Sequence, residues 1–264
     1  MGYNPNIMQN NQSHKYYFDH PEIWEKLRTG SLAKEKAFLS EIIKKNAPSA
    51  TRVLDVGCGI GSHCEALNSK GFETIGVDIN PHMIAFAKSK YPNLDFEKMD
   101  MRQLNQSKLG MFDVILCLCT SFTYNTTTKQ IIATLKSFHR LLNPGGLLIL
   151  EFFNPISFLE KNKFQGSFFQ EDLSHYHKIG LDLKVIHRVD EKRQLLLEDK
   201  KIYSLETGKL LSSDKTEFRL IFPQELVFYL ETMGFIVKNQ FGRYDTGYTK
   251  LDRTKLITVA TKNG

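Results

Sequence analysis

From Thr51 onward the chain alternates short apolar runs with stretches of helical period. "RVLDV" (52–56) predicts a buried strand, and Gly61 to Lys70 a helix ended by Gly71. "ETIGVD" (73–78) is the next strand, and Asn80 caps a helix opened by Pro81 and running to about Lys90. "LDFEKMD" alternates as a half-buried strand, followed by a short helix or turn. "FDVILCLC" is a fourth strand and Thr128 to Leu142 a helix. Asn143-Pro144-Gly145-Gly146 then turns the chain into "LLILEFF", the fifth strand. Strand alternating with helix predicts a parallel sheet covered on both faces. Right-handed crossovers gather the strand C-termini, and any ligand, along one edge.

The rhythm changes after Phe153. "LDLKVIHRVD", "RQLLLEDKKIYSLE" and "KLLSSDKTEFRLIF" read as strands with no long helix between them, so they should pair antiparallel. "PQELVFYLETMGF" is a helix from Pro223 stopped by Gly234, and "IVKNQFGRYD" and "KLITVATK" make a final strand pair. Upstream, residues 1–15 read as a polar, mobile tail. "HPEIWEKL" is a short helix with Pro21 in its first turn, and Ser31 caps a second running to about Lys45. Leu32, Phe38 and Ile42 point to one face of that second helix.

Composition narrows the class. The 264 residues are 41% hydrophobic and 24% charged, enough for one large domain or one domain with an insertion. No stretch approaches the roughly eighteen uncharged apolar residues of a membrane span. The first twenty residues lack the apolar core of a secretory signal, and Asn6 argues against myristoylation at Gly2. A net charge of +6 permits nucleic acid or acidic lipid. The basic residues are scattered among 29 acids, however, which reads as a solvated surface. Cys58, Cys64, Cys117 and Cys119 lack zinc-site spacing. They are expected as free thiols with no metal, in a reducing cytoplasm.

The chemistry is carried by "VLDVGCGIG" (53–61). A phosphate-binding P-loop requires Lys-Ser or Lys-Thr after the glycines, and neither follows. The dinucleotide fingerprint fits at Gly57 and Gly59, but its last position is Ser62, and the third glycine comes one residue early at Gly61. Asp78 lies at about the interval expected for a ribose-binding acid, so that reading is weakened rather than excluded. Read as D-x-G-x-G-x-G, the loop is followed in order by Asp78 in "GVDINPHMIAFA", "KMDM", "FDVILCL" and "LLNPGGLLILE".

In these features residues 51–153 resemble the class I S-adenosylmethionine-dependent methyltransferases. The resemblance implies a Rossmann-like, seven-stranded, mostly parallel α/β sheet with helices on both faces and an antiparallel β insertion after strand five. Residues 1–50 would form a helical lid, 51–154 the cofactor-binding core, 155–222 the insertion roofing the substrate, and 223–264 a helix and hairpin completing the sheet. S-adenosyl-L-methionine has a ribose diol for Asp78 to accept from, and an ammonium that Asp55 serves through water or by ordering the loop. Gly57 and Gly59 let the backbone approach the methionine portion. Ile79 and Met101 sandwich the adenine and Asp100 accepts from its amino group, with Cys58, Met83 and Cys117 completing the cofactor set. The structural alternatives are that Asp55 only satisfies loop amides, Met101 is core, and Asp100 is a helix N-cap worth about 1 kcal/mol.

Methyl transfer from a sulfonium is an in-line displacement, so alignment and exclusion of water matter more than a fixed triad. The tail of strand four, "LCLCTSFTYN", lacks the Asn-Pro-Pro-aromatic run of base-modifying members and offers Phe122. Tyr16, Tyr17 and Trp24 are candidates to close a lid. The insertion resembles that of the sugar-amine and glycine N-methyltransferase group, where it roofs the pocket; His175, Tyr176 and His177 are its candidates. Arg243 and Tyr244 lie on the link between the last strands. Tyr17 and Tyr124 are candidate general bases, if one is used. The leading expectation is methyl transfer to a small-molecule amine, without membrane or nucleic-acid partners and with a homodimer left open. An RNA or tRNA methyltransferase, a small-metabolite O-methyltransferase and a non-catalytic binding module are the alternatives.

Overall fold

The computed structural model describes residues 15–28, 32–156, 169–170 and 174–264. Of the expected tail at 1–15, residues 1–14 lie outside the described residues, as do the Ser31 cap and the His175 side chain, while Lys15 already opens a helix. Three helices open the described chain: α1 Lys15–Asp19, α2 Pro21–Arg28 and α3 Leu32–Asn46. The core follows as β1 Arg52–Val56, α4 Ser62–Asn68, β2 Glu73–Asp78, α5 Pro81–Lys90 and β3 Asp95–Lys98. After a short 3-10 turn at Met101–Gln106 come β4 Phe112–Cys117, α6 Thr128–Leu141 and β5 Leu142–Phe153. The insertion holds β6 Phe169–Gln170, β7 Leu181–Asp190, β8 Leu195–Ser204 and β9 Leu210–Arg219. Helix α7 Pro223–Thr232 leads to β10 Phe235–Phe241 and β11 Lys255–Lys262.

Seven strands form one sheet in the order β10-β11-β5-β4-β1-β2-β3. β1 to β5 run parallel, and β11 joins β5 antiparallel. The strand order reverses between β1 and β4, which opens a crevice beyond their C-termini. Strands β6 to β9 form a separate antiparallel sheet.

Both faces of the main sheet are buried, which is why its strands read as unbroken apolar runs. One face packs Leu54, Ile115 and Leu148 against Leu135 and Phe138 of α6 and Leu226 and Leu230 of α7. The other packs Val53, Val114 and Ile149 against Phe38, Leu39, Ile42 and Ile43 of α3.

Local signals set the helix ends. Asn80 accepts the His82 and Met83 amides at the start of α5, and Thr127 with Gln130 forms a capping box on α6. The expected turn at 143–146 departs from its reading, because β5 already starts at Leu142 and absorbs it. Asn143 donates to Asp113 on β4 at 2.8 Å, Gly145 has φ +73°, and the register with β4 shifts there. A side chain from the neighbouring strand thus holds this segment in the ladder as an irregularity.

Candidate active site

The glycine loop leaves β1 at Val56 and bends over the end of β2. Gly57 and Cys58 both donate their amides to Val77 O, at 2.7 and 3.0 Å. Gly57 and Gly59 have φ of +74° and +53°, where a Cβ is strained. At Gly57 a Cβ would also stand 2.4 Å from Ser121 Oγ, so the loops after β1 and β4 meet there. Ser121 was missed from the sequence, because its proximity to Gly57 arises only from the adjacency of β1 and β4.

Asp78 ends β2. Its Oδ2 accepts from Gly59 N at 2.9 Å and its Oδ1 from Asn80 N at 2.8 Å. Burial pushes the carboxyl above its usual range, and the Asn80 and Gly59 amides only partly offset this. A carboxylate accepts about four hydrogen bonds, so each oxygen retains capacity toward the crevice. Ile79 beside it is 55% exposed, an apolar surface facing solvent at the ligand-binding edge.

Asp100 takes the role of an N-cap. It accepts the Arg102 amide at 2.9 Å and both arms of the Arg102 guanidinium. Burial would raise its carboxyl, but the bonds from Arg102 hold it below the usual range. Met101 packs partly buried against the core, and its sulfur receives Asn125 Nδ2 at 3.4 Å.

Other expected residues fall elsewhere. Met83 and Cys117 are buried in the interior, which leaves no side-chain surface for a cofactor. The Cys58 thiol packs on Phe96 and Ile84, so only its backbone belongs to the loop's outer face. Phe122 is core rather than substrate-facing, stacked on Phe152 at 6.1 Å. Its place in an apolar run after β4 is explained by packing. His177 is exposed and paired with Asp182 at 3.2 Å. Arg243 is exposed, bonded to Asp245 and laid over the Tyr248 ring at 3.9 Å, so its cation is engaged within its own loop. Tyr244 packs edge-on against Phe38 at 5.6 Å, with Lys255 over its ring.

The lid candidates lie together. Tyr17 is buried among Leu181, Leu183 and Ile202 of the insertion, with Tyr16, Trp24 and Tyr176 packed around them. A Cβ on Gly59 would come 3.9 Å from Trp24 Nε1, so this indole reaches the glycine loop. Glu25 pairs with Lys90 and Asp19 faces His82 at 3.7 Å, tying α1 and α2 to α5. Burial, reinforced by Tyr176, pushes the Tyr17 phenol far above its ordinary value. That shift weighs against its expected role as a base, which calls for a group that ionises near the working pH. Tyr124 packs at a tilt against Phe218, ring centroids 5.3 Å apart, and links the segment after β4 to the insertion.

Asp55 belongs to a buried chain of polar groups. His63 Nε2 lies 3.2 Å from Glu35 Oε2, and its Nδ1 lies 3.9 Å from Asp55 Oδ2. Glu35 sits three, four and seven residues before Phe38, Leu39 and Ile42, all buried, so its place on the apolar face of α3 was legible. Cys119, with φ +53°, donates its amide to Glu151 at 2.6 Å, and Lys255 donates to the same carboxylate at 2.8 Å. Among the described residues one mixed donor group gathers, Glu35, His63 and Cys119, with ligand atoms within 4.8 Å. Two of the three, His63 and Glu35, are already hydrogen-bonded to each other.

Residues 53–146 match a family model described as a methyltransferase domain. The chain is 28% identical over 140 residues to the dTDP-3-amino-3,4,6-trideoxy-alpha-D-glucopyranose N,N-dimethyltransferase of Streptomyces venezuelae, covering 52% of this chain and 58% of that protein. It is 36% identical over 118 residues to a glycine/sarcosine N-methyltransferase of Halorhodospira halochloris, covering 43% of each. The chain thus spans about half the length of these curated relatives. A crystal structure of an S-adenosylmethionine-dependent methyltransferase from Clostridium acetobutylicum superposes with a TM-score of 0.79 at 18% identity, over 94% of this chain and 99% of that one. Residues 53–146 are therefore a methyltransferase domain, set in a chain with the fold of the S-adenosylmethionine-dependent methyltransferases.

Proposed function

We propose that the protein transfers a methyl group from S-adenosyl-L-methionine to the nitrogen of a small amine, in a reducing cytoplasm. The observation that carries this reading is the bond from Gly59 N to Asp78 Oδ2. It joins the glycine loop, which leaves β1 at the switch point of the sheet, to a half-buried acid at the end of the adjacent β2, where a ribose diol would find an acceptor. The site fits that molecule: Gly57 and Gly59 offer a surface without Cβ atoms, Asp78 keeps acceptor capacity, and Ile79 presents an apolar face. The names of the relatives, a sugar-amine and a glycine/sarcosine N-methyltransferase, favour an amine as acceptor.

The cofactor would supply the methyl electrophile. In this reading Asp78 receives the ribose hydroxyls, Gly57 and Gly59 pass close to the methionine portion, and Asp55 orders the loop from beneath through His63. Ile79 and Met101 take the adenine, while Asp100 stays engaged by Arg102. Tyr17 and Trp24 exclude water from above, and Tyr124 orients the acceptor from the end of β4. A neutral amine needs only alignment, which the glycine loop, lid and insertion provide between them.

Calorimetry with S-adenosylhomocysteine tests the core of the proposal. Micromolar binding that weakens in Asp78→Ala supports it; absent binding, or binding indifferent to Asp78, defeats it. Labelled methyl transfer into a metabolite extract then reports the acceptor.

A further inference from the structure

Three side chains of metal-binding type converge beside the glycine loop from parts of the chain far apart in sequence. Glu35 stands on α3, His63 is the second residue of α4, and Cys119 lies two residues beyond the end of β4. Their ligand atoms all lie within 4.8 Å of one another. Glu35 and His63 are buried, and Cys119 is half-buried.

A carboxylate on the apolar face of a helix is costly. Glu35 shares its face with Phe38, Leu39 and Ile42, all buried. An acid taken out of water persists there when it is paired, hydrogen-bonded or bound to a metal. His63 Nε2, 3.2 Å from Glu35 Oε2, supplies a hydrogen bond. That separation is also close to the one a tetrahedral ion imposes, because ligand bonds of about 2.0–2.2 Å put a nitrogen and an oxygen roughly 3.3 Å apart. A thiolate bonded at about 2.3 Å would sit roughly 3.6 Å from either. The 4.8 Å limit therefore leaves Cys119 a shift of about 1 Å to make. On the other side of the ring, His63 Nδ1 lies 3.9 Å from Asp55 Oδ2. A metal on Nε2 leaves the ring proton on Nδ1, facing a carboxylate, as metal-bound imidazoles commonly do.

We propose that Glu35, His63 and Cys119 form a zinc site. The donor set selects the metal. One sulfur, one nitrogen and one oxygen suit zinc, whereas magnesium and calcium take oxygen ligands. On binding, the Cys119 sulfur releases its proton to solvent and bonds to the ion as a thiolate. Neutral His63 and ionised Glu35 exchange their mutual hydrogen bond for two coordinate bonds. Three protein ligands leave the fourth position to a water, and Cys119, the member that solvent reaches, marks the entry path. Its backbone is already fixed, with φ +53° and its amide donated to Glu151 at 2.6 Å. Nearby Lys255 donates to the same Glu151 at 2.8 Å.

This site goes beyond methyl transfer and does not depend on it. The ion would tie α3 and the first turn of α4 to the segment after β4, and so clamp the pieces of chain that border the crevice. The spacing of the four cysteines argued against a metal, but only one of them takes part here. The other two donors come from helices and stand 28 residues apart, outside any short metal motif.

The test is titration of the untagged full chain, stripped of metal by a chelator and kept reduced, with zinc chloride and with cobalt chloride. Zinc should bind one per chain at micromolar concentration or below and raise the melting temperature, and magnesium chloride should do neither. Cobalt in the same site should give a thiolate-to-cobalt charge-transfer band in the near ultraviolet. Cys119→Ser should abolish that band. His63→Gln and Glu35→Gln should each weaken zinc about a hundredfold, since losing even an outer partner of a ligand costs about ten- to a hundredfold. Melting curves in chelator certify folding, and if one variant fails to fold the other two decide. Three results overturn the proposal: no zinc binding at micromolar concentration, a cobalt complex without the thiolate band, or wild-type zinc affinity in the folded variants. Binding of S-adenosylhomocysteine is read separately, so failure of the methyltransferase reading and failure of the zinc site are distinct.

Discussion

Asp78 and Gly59, nineteen residues apart, are joined by a 2.9 Å bond from the loop amide to the carboxylate. The acid that faces the ligand-binding edge is therefore also the one that holds the loop. Removing it should act twice. Asp78→Ala deletes an acceptor for the cofactor and frees Gly59. A hydrogen bond to a charged group contributes about 1.5–3 kcal/mol, so S-adenosylhomocysteine affinity should fall roughly ten- to a hundredfold. Asp78→Asn keeps the shape and should fall between wild type and alanine in the same titration.

The same carboxyl predicts a pH dependence. Burial raises its folded value above the ordinary one, despite the amides of Asn80 and Gly59. The ionised form is the one that accepts from the loop and from a diol. Ligand affinity should therefore drop on acidification at a pH above the usual carboxylate range, and Asp78→Asn should flatten that limb. Stability runs the other way for this group. A raised carboxyl binds its proton more readily in the folded chain, so its contribution is favourable in acid and is lost as pH rises through the folded value. Affinity and melting temperature recorded across the same pH series should diverge in sign at this residue.

How far the sequence revealed these relationships depends on their range. Asp78 was legible because strand period and sheet chirality place the C-terminus of β2 at the ligand edge. The Asn80 cap and the boundaries of β7 were legible for equally local reasons. Ser121 was not, since only the pairing of β1 with β4 brings it under Gly57. The burial of Glu198, Lys200 and Asp214 on one face of the insertion sheet was hidden for a different reason. Along β8 the inward positions read Leu196, Glu198, Lys200, Ile202, so alternation alone mixes the two faces. Only the register with β7 and β9, and the helices laid over it, shows which side is covered.

Gly57 provides a steric test. Gly57→Ala places a Cβ at φ +74° and 2.4 Å from Ser121 Oγ. The backbone cost alone is about 1–3 kcal/mol. The variant should melt lower and bind S-adenosylhomocysteine weakly. Adding Ser121→Gly relieves the collision but not the strained φ, so recovery should be partial. Full recovery in the double variant would show the contact alone to be limiting.

The buried Glu35 and His63 pair connects α3 to the helix after the glycine loop. Glu35→Ala leaves a buried imidazole nitrogen without this acceptor, at a cost of about 1–3 kcal/mol. For a chain of this size that lowers the melting temperature by about 2–4 °C per kcal/mol. Because His63 also faces Asp55, a loss of S-adenosylhomocysteine affinity should accompany the loss of stability. Glu35→Gln retains an acceptor and should restore most of both.

Tyr17 separates lid from base. Its phenol is pushed far up by burial and by Tyr176, and its ring lies 5.3 Å from Lys200 Nζ. A group so reluctant to ionise is expected to close the site rather than take a proton from the acceptor. Tyr17→Phe keeps the ring over Lys200 and against Trp24, and removes only the hydroxyl. Once an acceptor is in hand, this variant should leave the pH profile of kcat unchanged in shape. Tyr17→Ala should raise KM for the acceptor, because it opens the apolar end of the insertion to water. Loss of a titrating limb in Tyr17→Phe would return the base to this residue. A raised KM in Tyr17→Ala with an intact profile in Tyr17→Phe assigns the ring to closure of the site.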